Sequence, residues 1–217
     1  CLLAARDGTV WIGTRKGLSR FKDGRGAIYT TREGLSHDFI TALCEDRAGG
    51  LWIGTNGGGV NRFHNGRFTA YTTREGLAND LVWTIAEDRE GSLWLGTNGG
   101  GLNRLKAGRF TTFTTREGLS NDVALPIYED RAGTVWIGTA GGGLNRYAGG
   151  QFTRFSTAQG LPNNVVLTLC EDRSGTLGLG TAGGELTSFT DGKFTSLTTK
   201  DGLGSDLVTA VRAQLRC

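Results

Sequence analysis

The segment EDRAGGLWIGTNGGGVNRFHNGRFTAYTTREGLAND, which runs from Glu45 to Asp80, decides the fold because it recurs along the chain. Gly-Leu pairs begin at residues 34, 76, 118, 160 and 202, each 42 residues after the one before. Gly-Thr pairs follow nearly the same spacing, and a tryptophan lies two residues before four of them. The 217 residues therefore form five copies of one unit, a pattern typical of repeat architectures.

Each unit contains four strand-like segments joined by turn residues. In the second unit they are Phe39–Asp46, Leu51–Thr55, Gly59–Phe63 and Arg67–Thr72, all rich in β-branched, aromatic or aliphatic residues. Glycine and asparagine between them supply the positive φ angles that tight hairpins require. Because no stretch keeps a 3.6-residue apolar period, we expect no helices.

A four-stranded meander of this size cannot bury both of its faces alone, but copies that pack face to face around an axis can. The sequence therefore predicts an all-β fold, a five-bladed β-propeller of four-stranded antiparallel blades, as a single domain over residues 1–217. The WIGT strand is expected in the tightly packed middle of each blade. A linear β-solenoid is the structural alternative.

The way the ring closes follows from the chain ends. Only Cys1–Ala5 precedes the first turn, so the first blade lacks a full inner strand. We expect residues 207–213 to supply it and to join the two ends in one sheet. The alternative is that the five units are an arc of a larger ring, which would leave sheet faces exposed. The chain contains no methionine, which indicates a processed or excised piece of a longer protein.

Composition excludes several classes of protein. The 24 basic and 21 acidic residues give a net charge of +3, too balanced to indicate nucleic-acid binding. An apolar share of 37% and five tryptophans exclude disorder. Apolar runs are too short to cross a bilayer, so direct membrane insertion is not expected.

Catalytic motifs are missing from the sequence. It has no HExxH, no GxSxG and no P-loop, and we expect no enzyme activity, no metal and no cofactor. Glu-Asp pairs begin at residues 45, 87, 129 and 171, but a group copied into every blade is expected to cap a turn rather than to catalyse. Cys1, Cys44, Cys170 and Cys217 are expected to be free thiols, because their positions in the repeat do not bring any pair within bonding distance.

Candidate ligand-binding residues lie where the copies differ and where loops meet on one face of a propeller. The loops that lead into the inner strands, called here the inner loops, carry paired amide, imidazole and carboxylate groups that suit a polyhydroxy ligand. A tryptophan replaces threonine or leucine at one inner-strand position and offers an apolar platform. The alternative is that the polar pairs only cap turns. The candidates are His37, Asp38, Asn79, Asp80, Trp83, Asn121, Asp122, Asn163, Asn164 and Asp206.

The quoted segment resembles the two-component regulator propeller repeat, through WIGT followed by GGG and then by L-N-R in most units. The resemblance covers essentially the whole chain. It implies the extracytoplasmic, periplasmic sensor region of a bacterial hybrid two-component protein, a family that typically builds seven-bladed rings, often in pairs. It also implies ligands such as oligosaccharides. This chain departs from that pattern in having five units.

These observations favour a non-enzymatic propeller that senses a small polar ligand or contacts another propeller or a second copy. The competing class is a metal-assisted lyase that resembles streptogramin lyase, which is also a propeller and would use His37. A repeat scaffold without a ligand is the third possibility.

Overall fold

The computed structural model describes residues 1–205 and Val208. It contains five antiparallel sheets, each of four strands in sequential order, as predicted. The described chain divides into two compact units, the first over residues 1–112 and the second beginning at Phe113. The prediction of a single domain over residues 1–217 stays a prediction.

The first unit holds three sheets. The first sheet consists of β1 (Leu2–Ala4), β2 (Val10–Thr14), β3 (Gly17–Lys22) and β4 (Arg25–Tyr29). The second consists of β5 (Ile40–Glu45), β6 (Leu51–Thr55), β7 (Val60–His64) and β8 (Arg67–Tyr71). The third consists of β9 (Val82–Glu87), β10 (Leu93–Thr97), β11 (Leu102–Lys106) and β12 (Arg109–Phe113), whose last residue already belongs to the second unit.

The second unit holds the other two sheets. The fourth sheet consists of β13 (Ala124–Glu129), β14 (Val135–Thr139), β15 (Leu144–Ala148) and β16 (Gln151–Phe155). The fifth consists of β17 (Val166–Glu171), β18 (Leu177–Thr181), β19 (Gly184–Thr190) and β20 (Lys193–Leu197). The strands predicted for the second repeat are confirmed to within one residue.

Within each unit the core lies between neighbouring sheets, and a tryptophan of a WIGT-type strand fills it. Trp52 packs with Val82, Leu93 and Leu105 of the third sheet. In the second unit Trp136 packs in the same way with Leu177 and Phe189. All five residues of β6 are buried, so the predicted place of this strand in the middle of the blade is confirmed.

Short helical turns follow the outer strands. Four single-turn 3₁₀ helices are present among the described residues, at Thr31–Glu33, Thr73–Glu75, Thr157–Gln159 and Thr199–Asp201. Each is closed by a capping box and ends at a left-handed glycine. No α-helix occurs in residues 1–205, which agrees with the lack of a 3.6-residue apolar period in the sequence. The short 3₁₀ turns were not predicted.

The inner strand described for the first sheet comes from the N-terminus, so the predicted closure by residues 207–213 is not confirmed. Residues Leu2–Ala4 pair with β2, and the backbone N–H of Gly13 donates to the carbonyl of Cys1 at 2.9 Å. This edge of β2 is therefore already occupied. The predicted donor, residues 207–213, lies outside the described residues except for Val208.

One face of the first sheet is apolar and exposed. Leu2, Ile12 and Ile28 lie in one row across it, and their exposed fractions are 70%, 38% and 67%. Ile53 and Leu95, which take the position of Ile12 in the second and third sheets, are completely buried against the sheet before them.

Candidate functional site

The first member of each predicted polar pair is bound by its own loop. In the first unit the backbone N–H of Phe39 donates to His37 Nδ1 at 3.0 Å, and the N–H of Leu81 donates to Asn79 Oδ1 at 2.8 Å. His37 therefore caps its loop as an asparagine does, because its Nδ1 accepts from the backbone N–H two residues later in the chain.

The second member of each pair ties the inner loop to the short helical turn before it. Asp38 Oδ1 accepts from the N–H of Thr31, and Asp80 Oδ1 accepts from the N–H of Thr73, both at 2.7 Å. Each carboxylate uses one oxygen for this bond, and that of Asp80 also receives the hydroxyl of Thr73 on its second oxygen at 3.2 Å.

The second unit repeats both bonds. Asn121 and Asn163 accept from the N–H two residues later, and Asp122 and Asn164 accept from Thr115 and Thr157. Asn164 can replace the aspartate because the bond needs only one oxygen. Asp206 lies outside the described residues. These are the hydrogen bonds expected if the polar pairs cap turns. A ligand-binding role for the ten candidate residues stays a prediction.

The inner loops share an edge with the hairpins between second and third strands, as predicted. The carbonyl of Asp80 accepts from the N–H groups of Gly57 and Gly59, at 3.1 and 2.7 Å. In the second unit the carbonyl of Asn164 accepts from Gly141 and Gly143 in the same way. Within each unit the loop of one sheet therefore rests on the hairpin of the preceding sheet.

Three inner loops are also anchored by a buried asparagine, Asn61, Asn103 or Asn145, that the sequence analysis did not single out. Asn61, completely buried, accepts from the N–H of Ser36 and donates to its hydroxyl. Asn103 accepts from the N–H of Ala78 at 3.1 Å. The repeated L-N-R motif was the available signal, but its partner lies 25 residues away in the chain.

A polar cavity of about 400 Å³ lies beside Asp80 in the first unit. The Asp80 carboxylate lines it together with the hydroxyl of Ser36 and the residues of the helical turn, among them Thr73, Arg74 and Glu75. The backbone N–H and hydroxyl of Thr72 donate to Glu75 and hold its pKa below the ordinary value. The cavity is therefore lined by a guanidinium, two acidic side chains and hydroxyls.

Trp83 is exposed to 41% but does not line this cavity. The predicted apolar platform therefore does not form part of the cavity beside Asp80.

The repeated Glu-Asp pairs are structural. Asp46 accepts from the N–H of Gly50, from Trp52 Nε1 and from the guanidinium of Arg62. Burial opposes its ionisation, but these hydrogen bonds outweigh burial, and the pKa of Asp46 lies below its usual value. A carboxylate that is ionised and saturated with donors cannot serve as a general acid near neutral pH.

The glutamates join neighbouring sheets. Arg6 of the first sheet contacts Glu45 of the second through its backbone N–H at 2.9 Å and its Nε at 3.3 Å. Arg47 and Arg131 contact Glu87 and Glu171 in the same manner.

The cysteines Cys1, Cys44 and Cys170 are free thiols, as predicted, while Cys217 lies outside the described residues. Burial raises the pKa of the Cys44 thiol to about 11. No group of three or more His, Cys, Asp or Glu side chains that could hold a metal ion occurs among the described residues. In the same part of the chain no helix is long and apolar enough to cross a membrane.

Three segments match the family model "Two component regulator propeller", at residues 34–57, 76–99 and 118–141. No curated protein matches this chain.

Solved structures share the fold over nearly the whole chain. The extracellular domain of the hybrid two component system BT3049 from B. thetaiotaomicron is 25% identical and matches with a TM-score of 0.81. The match covers 94% of this chain and 28% of that one. The extracellular domain of the one component system BT4673 from the same organism is 24% identical, with a TM-score of 0.77, over 90% of this chain and 30% of that one. This chain thus spans less than a third of the length of either domain.

Virginiamycin B lyase from Staphylococcus aureus also matches, at 18% identity and a TM-score of 0.75, over 90% of this chain and 68% of that one. At this identity the likeness shows the fold alone. Together with the five four-stranded sheets, the matches confirm the β-propeller fold class. Three repeats of the chain therefore match the two-component regulator propeller model, and the chain has the fold of the extracellular domains described above.

Proposed function

We propose that this chain is the non-enzymatic, ligand-sensing part of an extracytoplasmic two-component receptor, and that it binds an oligosaccharide-like polar ligand. The observation that carries the proposal is the match to the extracellular domain of a hybrid two component system over 94% of this chain. The same likeness supports a location outside the cytoplasm.

The cavity beside Asp80 is the ligand site that fits this function. A polyhydroxy ligand offers donors and acceptors in all directions, so it needs both kinds of group in the wall. Arg74 supplies a guanidinium that makes no hydrogen bond to any described residue, while Thr73 and Ser36 supply hydroxyls. The cavity volume of about 400 Å³ falls within the usual range for small-ligand sites.

The lyase alternative has less support. It would use His37 as a catalytic base, but His37 Nδ1 already accepts the backbone N–H of Phe39. The lyase structures are similar to this chain in fold only.

The exposed apolar face of the first sheet supports a contact with a second copy of this chain. In residues 1–112 the equivalent faces of the second and third sheets are covered by the preceding sheet. The covering face carries Trp11 in one case and Trp52 in the other. A second copy carries such repeats. Sedimentation velocity over a concentration series tests this contact. Self-association that is lost in Leu2→Glu and Ile28→Glu supports it, and a monomer at every concentration overturns it.

An oligosaccharide array probed with the full 217-residue chain tests the ligand proposal. We expect a defined set of glycans to bind, and Arg74→Ala to weaken that binding at least tenfold. Arg32→Ala is the matched control, because Arg32 takes the same place in the first helical turn. Equal effects of the two variants would overturn the site. A chain that binds no glycan would overturn the ligand class and leave the ligand-free scaffold.

A further inference from the structure

The first repeat lacks the aspartate that the other four repeats carry in the turn after the inner strand. Ala5 stands at the position of Asp46, Asp88, Asp130 and Asp172. The turn itself is unchanged. The N–H of Ala5 donates to the carbonyl of Thr9 at 2.8 Å, as the N–H of Asp46 donates to that of Gly50. The difference between the repeats is therefore the carboxylate, not the backbone.

In the second repeat this carboxylate accepts hydrogen bonds from three side-chain N–H donors. Asp46 Oδ2 lies 2.9 Å from Trp52 Nε1, 2.9 Å from Arg62 Nη2 and 3.2 Å from Arg62 Nε. The guanidinium of Arg62 also stacks on the indole of Trp52, with its carbon 5.5 Å from the ring centroid. The contact to the indole recurs between Asp88 and Trp94 at 2.8 Å.

The first repeat keeps the same donors without the acceptor. Trp11 is 6% exposed, and its indole nitrogen has no hydrogen-bond partner in residues 1–205. The guanidinium of Arg20 stacks on Trp11 at 5.8 Å, and its buried Nε is likewise unpaired there. Arg20 is partly buried and its buried Nε has no acceptor, so this arrangement favours binding of an anion.

The hydroxyl of Thr9 adds a third donor at this place. Thr9 is 1% exposed, and its Oγ1 contributes to the lowered pKa of Asp7 but has no acceptor at standard hydrogen-bond geometry. Ser92 Oγ at the equivalent position of the third repeat is also unbonded, so a free hydroxyl here is not unique to the first repeat. The indole and the guanidinium are the groups that distinguish the first repeat from the second.

These groups line a cleft of about 320 Å³ between the first and second sheets. Its apolar wall is formed by Tyr29, Leu51 and Phe63, beside Trp11. The cleft also contains two acidic side chains, but both are already paired. Asp7 binds Lys22 at 2.6 Å, and Glu45 binds Arg6 at 3.3 Å. The charge of Arg20 therefore stays uncompensated.

The next interface offers an internal comparison. An equivalent cleft, also of about 320 Å³, lies between the second and third sheets and is lined by Trp52, Arg62 and Asp46. The two clefts are equal in size and differ in whether the chain itself supplies the carboxylate.

We propose that the cleft at Trp11 and Arg20 binds a small carboxylic acid with an aromatic or aliphatic body. Its carboxylate takes the place of the missing aspartate and accepts from the Arg20 guanidinium and the Trp11 indole. Its apolar body lies against Tyr29 and Phe63. This site is separate from the cavity beside Asp80 and does not depend on the sugar ligand.

Calorimetric titration of the full chain with phenylacetate tests the proposal. We expect saturable binding at one site, at least tenfold weaker binding of benzyl alcohol, which lacks the charge, and at least tenfold weaker binding of acetate, which lacks the ring. Ala5→Asp supplies the carboxylate from the chain, so it should abolish phenylacetate binding and raise the Tm of the free protein. Arg20→Gln should abolish binding without raising the Tm.

The second cleft supplies the matched variant. Asp46→Ala removes the internal carboxylate, so it should create a second phenylacetate site, and the ligand should raise the Tm of this variant more than that of the wild type. The proposal is overturned if Ala5→Asp binds phenylacetate as the wild type does, or if the wild type binds neither acid. Should Asp46→Ala fail to fold, the comparison of Ala5→Asp with Arg20→Gln still decides.

Discussion

Asp46 Oδ2 lies 2.9 Å from Trp52 Nε1, so the turn of the second sheet is joined to its most buried strand. The bond gives the large indole ring a polar partner inside the core, which a buried tryptophan needs. It also fixes the position of the ring that packs against the third sheet.

Loss of this carboxylate should destabilise the protein. Asp46→Ala leaves the Trp52 indole and the Arg62 guanidinium without an acceptor, at an expected cost of about 3 kcal/mol. Urea denaturation measures the loss. Glu90→Ala is the control, because Glu90 forms an exposed ion pair with Lys106 and should cost less than about 1 kcal/mol. Equal losses would contradict the role given to Asp46.

Trp52→Ala should cost about 3–5 kcal/mol, because it leaves a cavity between the second and third sheets. Trp83→Ala removes the same side chain from an exposed position and should change stability by about 0.5 kcal/mol or less. The difference between the two denaturation midpoints measures the effect. If Trp52→Ala lost less than about 1 kcal/mol, the indole would not fill the space between the sheets.

Acid should destabilise the chain. Hydrogen bonds from Thr30 hold the pKa of Glu33 below its ordinary value, and the donors around Asp46 do the same despite its burial. A carboxyl whose folded pKa is lowered stabilises the fold above its unfolded pKa of about 4 and loses that contribution as the pH falls through the folded pKa.

The Tm should therefore be level between pH 7 and pH 5 and fall below about pH 4. Thermal denaturation at each pH checks this. Asp46→Asn removes one of the titrating groups, so its Tm should depend less on pH in the acid range. A wild-type Tm that rises on acidification would show that the sign is wrong.

Substitution of two neighbouring glycines in the hairpin of the second sheet should have different effects on stability. A Cβ at Gly59, where φ is +71°, would lie 2.2 Å from the carbonyl oxygen of Tyr71. Gly57 also has a positive φ, but a Cβ there meets nothing within 4 Å. Gly57→Ala should cost about 1 kcal/mol, and Gly59→Ala should cost at least about 3 kcal/mol, because strain and a backbone clash add. Comparable losses in the two denaturation curves would contradict the placement of Gly59.

Local patterns in the sequence were sufficient to predict the strands, the hairpin turns and the packing of the tryptophans, since each depends on residues close together in the chain. The inner strand of the first sheet could not be assigned from the sequence alone, because both chain ends match its pattern. The choice depends on which of them reaches β2, and Leu2–Ala4 does.

The candidate site was harder to predict for a similar reason. An asparagine in a loop can turn outward to a ligand or inward to its own backbone, and the sequence is the same in both cases. Asn79 turns inward and binds the N–H of Leu81. The bond that anchors Asn103 and the missing acceptor beside Arg20 both depend on residues from other segments of the chain. No local sequence pattern predicts them.

The arginine–glutamate contacts between neighbouring sheets all run in the same direction along the chain. Arg6 and Arg47 each reach forward to a glutamate of the following sheet, whereas Ala4 stands in the first sheet where Glu45 stands in the second. Such contacts span only one interface, so thermodynamic coupling is confined to adjacent repeats, as in a one-dimensional chain of nearest neighbours. We therefore expect a substitution at Arg6 to affect the second sheet most and to have less effect on the sheets beyond it.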